Sequence, residues 1–600
     1  MGYYYATLSL VHHEISIFEN DSCRNFLMSN VTKEKLTRLN LTEDSRRRIN
    51  KACGSIYNLL IQVACHIFHS GRGGSYFSVW KWFDELIWFI DEYQLYGGEE
   101  SSFLPFDTLG LPVHLEWRKK VAERHAARFS GSTTANEMDC CSLHVMPSIA
   151  QPPLLPVQPL VVSFLSQDFT DHPTAHLVEG LFLNNRKFQY DMWPVQYLVY
   201  SYGKNDNSTS RKTIEQLVGG PSTQGGNFYD LSEADDDTAI KSVRGFHDGT
   251  RGCTSRTLNV SKGCYGGKRS DILFDLQGFT FKGRPELVAA RLAPIQVNFL
   301  VFPGTSGSAT TDYIVGDKFV TPPEHASFYS EKLALMPHSY QANYYKRYVN
   351  LESFIERGSE EWVSIRKREG LPTSRDVLVF ANFNKQDKFE PTMFSAWMEI
   401  LSQVPNSVLW LLEPTHIFQD DDGYKVVERN VFRQATVSGI SNDRIIFARR
   451  VTKAMHLYRM WAADLFLDTH LYGAHTSASD ALITGLPVLT LVGETFSSRV
   501  GLSLLENIDR EFSSFLTSWS VDEYVETAID FAKEMLSANA NNDTLTPLVV
   551  HQMRKRLFVR SQESHLFDDE TYTRNFNRMA RALQEVYLVV GSRMHVMVID

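Results

Sequence analysis

The residues able to do chemistry in this 600-residue chain cluster in short segments that each follow an apolar run and precede a helical one. The richest is Asp464-Leu-Phe-Leu-Asp-Thr-His-Leu-Tyr-Gly-Ala-His475-Thr476-Ser477-Ala-Ser-Asp480. A buried strand is expected to end near Thr469, with a glycine-containing loop and then a helix that opens near Thr476 and stops before Gly485-Leu486-Pro487, a usual stop signal. The first amides of such a helix have no intrahelical acceptor. With the hydroxyls of Thr476 and Ser477 they make a cradle for a diphosphate, favoured also by the helix dipole. Asp480, one turn further in, is placed to reach a ribose hydroxyl. The same pattern equally fits plain N-caps followed by a solvated aspartate.

A second segment, Val377-Leu-Val-Phe-Ala-Asn382-Phe383-Asn384-Lys385-Gln386-Asp387-Lys388-Phe389-Glu390-Pro391, has the same strand, polar loop and helix-start order. A fixed ammonium at Lys388 would stabilise the charge developing on a phosphate leaving group, in place of a metal. A surface lysine in a turn is the plainer reading. Lys453, His456 and Arg459 recur every three residues, so on a helix they share one face and can line a nucleotide edge or simply meet solvent. Nearer the N-terminus, Asp168-Phe-Thr-Asp171-His172-Pro173-Thr174-Ala175-His176 puts His172 at a strand's carboxyl end with Pro173 in the first helical turn. A histidine there can bind a ligand or accept a proton near neutral pH. His176 reads as the packing histidine of the two. In Pro303-Gly304-Thr305-Ser306-Gly307, glycine permits close approach of backbone to a ligand.

These residues need elements to hold them at one cleft. Apolar, β-rich runs at 160–165, 195–200, 272–276, 295–302 and 313–315 alternate with helical stretches, as do runs at 377–380, 408–412, 445–447, 465–467 and 488–491. Alternation of this kind predicts two α/β halves with mainly parallel sheets, and such sheets bind ligands at the carboxyl ends of their strands. The expected organisation is a helical N-terminal segment over 1–130, a linker over 131–159, one half over 160–370, a second over 371–545 and closing helices over 546–600. A polar, glycine-rich stretch at about 203–267 is expected to be a surface insertion of low order.

Length predicts roughly three or four domains. The composition, 43% apolar and 22% charged, is that of an ordinary globular protein. A net charge of −10 lacks the basic footprint of a nucleic-acid binder. No run reads as a signal peptide or a membrane span, and seven cysteines without a C-x-x-C pair fit a reducing compartment and no zinc site. The expectation is a cytoplasmic or nuclear protein with no nucleic-acid or membrane partner.

Taken together, His172-Pro173-Thr174-Ala175-His176-Leu177, Ala293-Pro294-Ile295-Gln296, Pro303-Gly304-Thr305-Ser306-Gly307, residues 404–412, Gly493-Glu494-Thr495 and Ala474-His475-Thr476 occur in the order seen in O-GlcNAc transferases. The chain resembles the catalytic region of the O-GlcNAc transferase and SPINDLY family over about 155–590, the O-GlcNAc transferase branch more than the other, and Ala122-Glu123-Arg124-His125-Ala126 resembles the helix that joins that family's repeats to its core. The resemblance implies a GT-B fold of two Rossmann-like domains facing a cleft. It also implies an inverting, metal-independent transfer of N-acetylglucosamine from UDP-GlcNAc to Ser or Thr of intracellular proteins.

By the same resemblance Lys388 contacts the diphosphate and Thr476 and Ser477 hold it, while Asp480 binds ribose. Lys453 and His456 lie around the uridine with Arg459 beside them, His475 precedes the phosphate-binding residues, and His172 lines the active site as a catalytic candidate with Lys388. Pro303 and Thr305 belong to the substrate-binding set. Lys385 stands where the family has a phosphate-contacting glutamine, and Asp387 replaces a tyrosine. Neither a long repeat array nor the large domain that animal members carry between the halves is evident. Rival readings are a protein O-fucosyltransferase using GDP-fucose, an N-glucosyltransferase, and an inactive scaffold of the same fold.

Overall fold

In the computed structural model the described residues are 105–129, 159–188, 194–245, 258–259, 264–265, 268–345, 354–414, 421–537 and 550–599. Most of the helical segment expected over 1–130 and nearly all of the 131–159 linker lie outside them. Two compact units are present, Met1–Phe103 with Thr415–Asn430, and Leu104–Pro414 with Val431–Asp600. Of the first, residues 421–430 are described, and they are helical.

The second unit holds both sheets. After helix α1 (Leu115–Ala127) come β1 (Leu160–Ser166), α2 (Pro173–Lys187), β2 (Val195–Ser201), α3 (Thr209–Leu217), β3 (Phe228–Asp230) and α4 (Asp236–Val243). A short antiparallel hairpin of β4 (Leu258–Asn259) and β5 (Cys264–Tyr265) precedes β6 (Ile272–Asp275), α5 (Pro285–Ala289), β7 (Ile295–Asn298), β8 (Tyr313–Asp317) and β9 (Lys332–Met336). Next come α6 (Glu360–Arg368), β10 (Leu378–Asn382), α7 (Pro391–Gln403), β11 (Ser407–Leu412), α8 (Asp421–Val437), β12 (Ile445–Ala448), α9 (Lys453–Arg459), β13 (Leu465–Leu467), α10 (Thr476–Ile483) and β14 (Val488–Leu491). The chain ends with α11 (Val500–Glu506), α12 (Arg510–Leu516), β15 (Thr517–Ser518), α13 (Val521–Ser537), α14 (Val550–Glu563), α15 (Asp569–Val590) and β16 (Val596–Met597).

The first sheet has the order β16-β9-β8-β7-β6-β1-β2-β3 and the second β12-β11-β10-β13-β14-β15, every pairing in both being parallel. Their strands carry near-continuous apolar runs such as Leu378-Val-Phe-Ala-Asn382, buried throughout, because helices cover both faces of a parallel sheet. These are the two Rossmann-like halves the alternating pattern predicts. One expectation fails in part. Between 203 and 245 the glycine-rich stretch is ordered and builds α3, α4 and the edge strand β3, whose Phe228 lies opposite Val199 of β2. Arg211 of α3 explains how so polar a segment is held, because its fully buried guanidinium bonds Ser201, Glu215 and Asp230 at 2.7–2.8 Å.

The closing helices tie the halves together. On one side Ser561 of α14 donates to the carbonyl of Leu482 in α10 at 2.8 Å. On the other, α15 lies along α2, with Asn184 bonded to Asp569 at 2.5 Å, and its fully buried Phe576 sits among the rings of Phe164, Phe274 and Phe299. The chain then adds β16 beside β9. At the seam, Asp317 at the end of β8 accepts from the Tyr340 amide at 2.9 Å and from Ser503 of α11 at 2.7 Å, so the connecting segment and both halves share one carboxylate.

Candidate active site

Two loops at the carboxyl ends of adjacent strands build the centre of the site. The loop after β13 is folded onto Asp468, whose Oδ1 accepts from the amides of Thr469 and Ala474, both at 2.7 Å, and whose Oδ2 accepts from Thr490 at 3.0 Å. The loop after β10 is joined to it by Asn384, which donates to Thr469 Oγ1 at 2.9 Å and accepts from Ser477 Oγ at 2.6 Å. Burial raises the Asp468 carboxyl above the usual carboxylate range, against three hydrogen bonds and the charge of Lys388.

Helix α10 opens on this support. Its first internal bonds run from the amides of Ala478 and Ser479 to the His475 carbonyl, each 3.1 Å, and His475 provides no side-chain cap. Among the described residues the amides of Thr476 and Ser477 have no acceptor, so two donors and a helix dipole face the loop mouth. Beside them the Lys388 ammonium, on a single 3₁₀ turn at Gln386–Lys388, donates to the Gly473 carbonyl at 2.8 Å and lies 3.9 Å from the centre of the Tyr472 ring. Burial pushes it down to about 8, with Asp387 and Asp468 opposing and Lys385 adding to the shift. At neutral pH it is therefore still a cation. His475 packs edge-on against Tyr472 at 5.3 Å, and its buried Nε2 has no partner. Burial, and secondarily Lys388, hold that ring far below the usual histidine range, so it is neutral. Cation, helix start and open imidazole nitrogen together form an anion site with one further polar group.

A second cluster lies one turn into α10. The buried carboxylate of Asp480 pairs through Oδ1 with Lys453 of α9 and accepts from the Tyr345 hydroxyl at 2.5 Å, and its Oδ2 lies 3.7 Å from His456 Nε2. Burial drives His456 down to about 4 despite Asp480. Its Nδ1 accepts from Arg459 at 2.9 Å, which leaves the ring hydrogen on Nε2. Arg459 itself is withdrawn from the cleft. It is 1% exposed, bonds the Arg449 carbonyl at 2.5 Å, pairs with Glu369 at 3.6 Å and packs over Phe383 and Trp410. Helical spacing placed it on the same face as His456; the structure makes it the group that orients His456.

The first half supplies two histidines. His172 caps α2, its Nδ1 lying 3.3 Å from the Thr174 amide, 3.0 Å from Thr174 Oγ1 and 3.5 Å from Asp168 Oδ2. Burial lowers its basicity, Asp168 opposes, and the charge of Lys385 in the other half lowers it further. His176, which the sequence presents as a packing residue, bonds Asp171 at 2.8 Å and is near enough to Lys453 and Asp480 for both to act on its titration. Both histidines thus face the second half. Lys385 is exposed at the mouth, whereas Asp387 has one carboxylate oxygen buried without a partner.

The turn at Pro303 does not join this cluster. Thr305 donates to Glu331 Oε2 at 2.7 Å and accepts from the Ser330 amide at 3.0 Å, and the Ser306 amide donates to Glu331 Oε1 at 2.6 Å. Gly307, at φ +64°, lies so close to the backbone of Ala122 and Glu123 that a Cβ would come within 2.1 Å of it. Buried Pro303 and Thr305 therefore shape a seat for α1. Asn384, Asp468, Tyr345 and Tyr472 were not singled out from sequence, although three of them sit inside the two segments that were. Among the described residues no group of three or more His, Cys, Asp or Glu side chains is arranged to hold a metal ion, and no helix is long and apolar enough to cross a membrane.

The family description "Glycosyl transferase family 41" matches residues 267–357 and 348–576. The chain is 30% identical over 439 residues to the Arabidopsis thaliana protein named probable UDP-N-acetylglucosamine--peptide N-acetylglucosaminyltransferase SEC, covering 72% of this chain and 39% of that protein. It is 23% identical over 434 residues to a tomato (Solanum lycopersicum) protein named as the corresponding SPINDLY enzyme, covering 72% and 39%. The chain thus spans about two-fifths of the length of these curated relatives. Among solved structures, a mutant O-GlcNAc transferase of Thermobaculum terrenum superposes with a TM-score of 0.59 at 19% identity, over 89% of this chain and 85% of that one. The shared fold is GT-B, two Rossmann-like domains with additional helices at the ends.

Proposed function

Because the chain belongs to glycosyl transferase family 41, we propose that it is an inverting protein O-GlcNAc transferase, moving N-acetylglucosamine from UDP-GlcNAc to Ser or Thr hydroxyls of cytoplasmic or nuclear proteins. One observation carries the reading: the Lys388 ammonium stands beside the open amides of Thr476 and Ser477, with the Asp480, Lys453 and His456 cluster one turn away. A diphosphate at the helix start and a nucleoside alongside fit that order of groups.

The chemistry is a single displacement. The acceptor oxygen bonds to the anomeric carbon from the face opposite UDP as the bond from that carbon to the diphosphate oxygen breaks, and the electron pair leaves on UDP. Lys388 and the helix amides take up the charge that develops there. The acceptor's proton passes to a base. We assign that role to His172, which burial keeps neutral: its Nδ1 accepts from the Thr174 amide, so the ring serves as base in the other tautomer, in which Nδ1 donates to Thr174 Oγ1 or Asp168 and Nε2 is freed for the proton. His475 offers its unpartnered Nε2 to the donor. Purified protein with UDP-GlcNAc and a Ser/Thr peptide mixture is expected to release UDP. Protein that neither binds UDP nor releases it from UDP-GlcNAc sinks the proposal.

A further inference from the structure

The segment joining the two halves carries a tyrosine that the displacement above does not use. Tyr345 is 4% exposed and its ring meets Phe567 edge-on at 5.4 Å. Its hydroxyl has one hydrogen and two acceptors in reach, Asp480 Oδ1 at 2.5 Å and the Thr476 carbonyl at 3.4 Å. The shorter, charged acceptor wins. Lys453 pairs with that same Oδ1, and its ammonium lies 5.2 Å from the centre of the Tyr345 ring. Oδ1 is thus held from two directions.

Oδ2 is held by much less. It faces the Nε2 hydrogen of neutral His456 at 3.7 Å, too far for a direct bond and suited to a hydroxyl that donates to the carboxylate and accepts from the ring. The same joining segment also fixes the helix itself, since Gln341 Nε2 donates to Ser479 Oγ at 2.7 Å. Without the tyrosine hydroxyl, the Asp480 carboxylate is free to turn about its terminal torsion and offer both oxygens to Lys453.

We propose that Tyr345 is a positioning residue for the nucleotide's ribose: it holds Asp480 by Oδ1 so that Oδ2 stays available to a ribose hydroxyl. The inference rests on the reading that this site takes a uridine diphosphate donor. It makes the joining segment part of the donor site.

The test uses the full chain, calorimetric titration, and two probes, UDP and 2′,3′-dideoxyuridine diphosphate. Tyr345→Phe keeps the ring and its contact with Phe567, and a melting curve checks that the fold is retained. UDP affinity is expected to fall about tenfold, the effect of losing one hydrogen bond to a charged acceptor, while dideoxy-UDP affinity stays within about twofold. In an Asp480→Asn background the same change is expected to have little further effect, because the two residues act as a unit. A variant that binds UDP like wild type, or that weakens both probes in proportion, overturns the role given to Tyr345 alone. Wild-type protein that binds UDP without preferring it to the dideoxy probe removes the ribose contact and the proposal with it. Wild-type protein that binds neither probe overturns the donor-site reading as well.

Discussion

Replacing Lys388 by Met removes one positive charge and keeps most of the stem that packs by Tyr472. The size of the effect follows from where the ammonium sits, 2.8 Å from the Gly473 carbonyl and beside a helix start whose amides are open. A diphosphate oxygen that takes the place of that carbonyl lies at a similar distance. Two unit charges about 4 Å apart interact by roughly 4 kcal/mol in a partly screened site. Much of this interaction strengthens only as the glycosidic bond breaks, so kcat is expected to fall by about 10²- to 10³-fold, the range seen when one such donor is deleted. UDP, which carries the leaving charge in full, should bind about tenfold less tightly. Lys388→Arg keeps the charge in a different shape and should lie between. The pH profile supplies an independent check. Burial brings this ammonium to about 8, and the charged form is the protonated one, so kcat/KM should decline as pH rises through that value. In the arginine variant the decline should vanish, since a guanidinium stays charged there. The assay is coupled UDP release with peptide acceptor, with circular dichroism confirming the fold. A Lys388→Met enzyme within about threefold of wild type refutes the assignment of leaving-group stabilisation to this residue.

Asn384→Ala cuts the tie between the two loops at Ser477 and Thr469, and should weaken UDP binding by about tenfold with a small change in melting temperature; unchanged affinity would mean each loop is ordered by itself. Gly307→Ala should cost at least ~1–2 kcal/mol from the positive φ alone, with the overlap on Ala122 adding to it. Its melting temperature should fall while UDP affinity is retained, because this turn seats α1 rather than donor; a loss of UDP binding in folded protein would return Thr305 to the donor site. His172→Ala should lower kcat far more than it raises the UDP dissociation constant, and equal losses in both would show a binding role instead of proton transfer.

What could be read from the residues depended on how locally each feature is encoded. The strands at 378–382, 407–412 and 465–467 and the loops after them were legible because a buried parallel strand, its polar loop and the following helix start are contiguous. Lys388, Thr476 and Ser477 come together because both loops leave the same sheet edge, which alternation already implies. Arg459 illustrates the limit. Its spacing shows a shared face with His456 but not that Glu369 and the Arg449 carbonyl draw its guanidinium inward. Thr305 shows the same limit, since its partner Glu331 is 26 positions away. Strand β16 is two residues long and gains its place only by pairing with β9, and β3 lies in a glycine-rich stretch whose order depends on buried Arg211. Tyr345 lies on a connection without regular structure, where no periodicity marks a residue as reaching a ligand site.

The transfer itself is read by incubating the purified chain with one Ser/Thr peptide mixture and, in separate reactions, UDP-GlcNAc, UDP-glucose and GDP-fucose, followed by mass spectrometry of the peptides. One N-acetylhexosamine on Ser or Thr is expected with UDP-GlcNAc, and its loss with Lys388→Met. Peptides that gain fucose from GDP-fucose, or no sugar from any of the three donors, would contradict the proposed transfer.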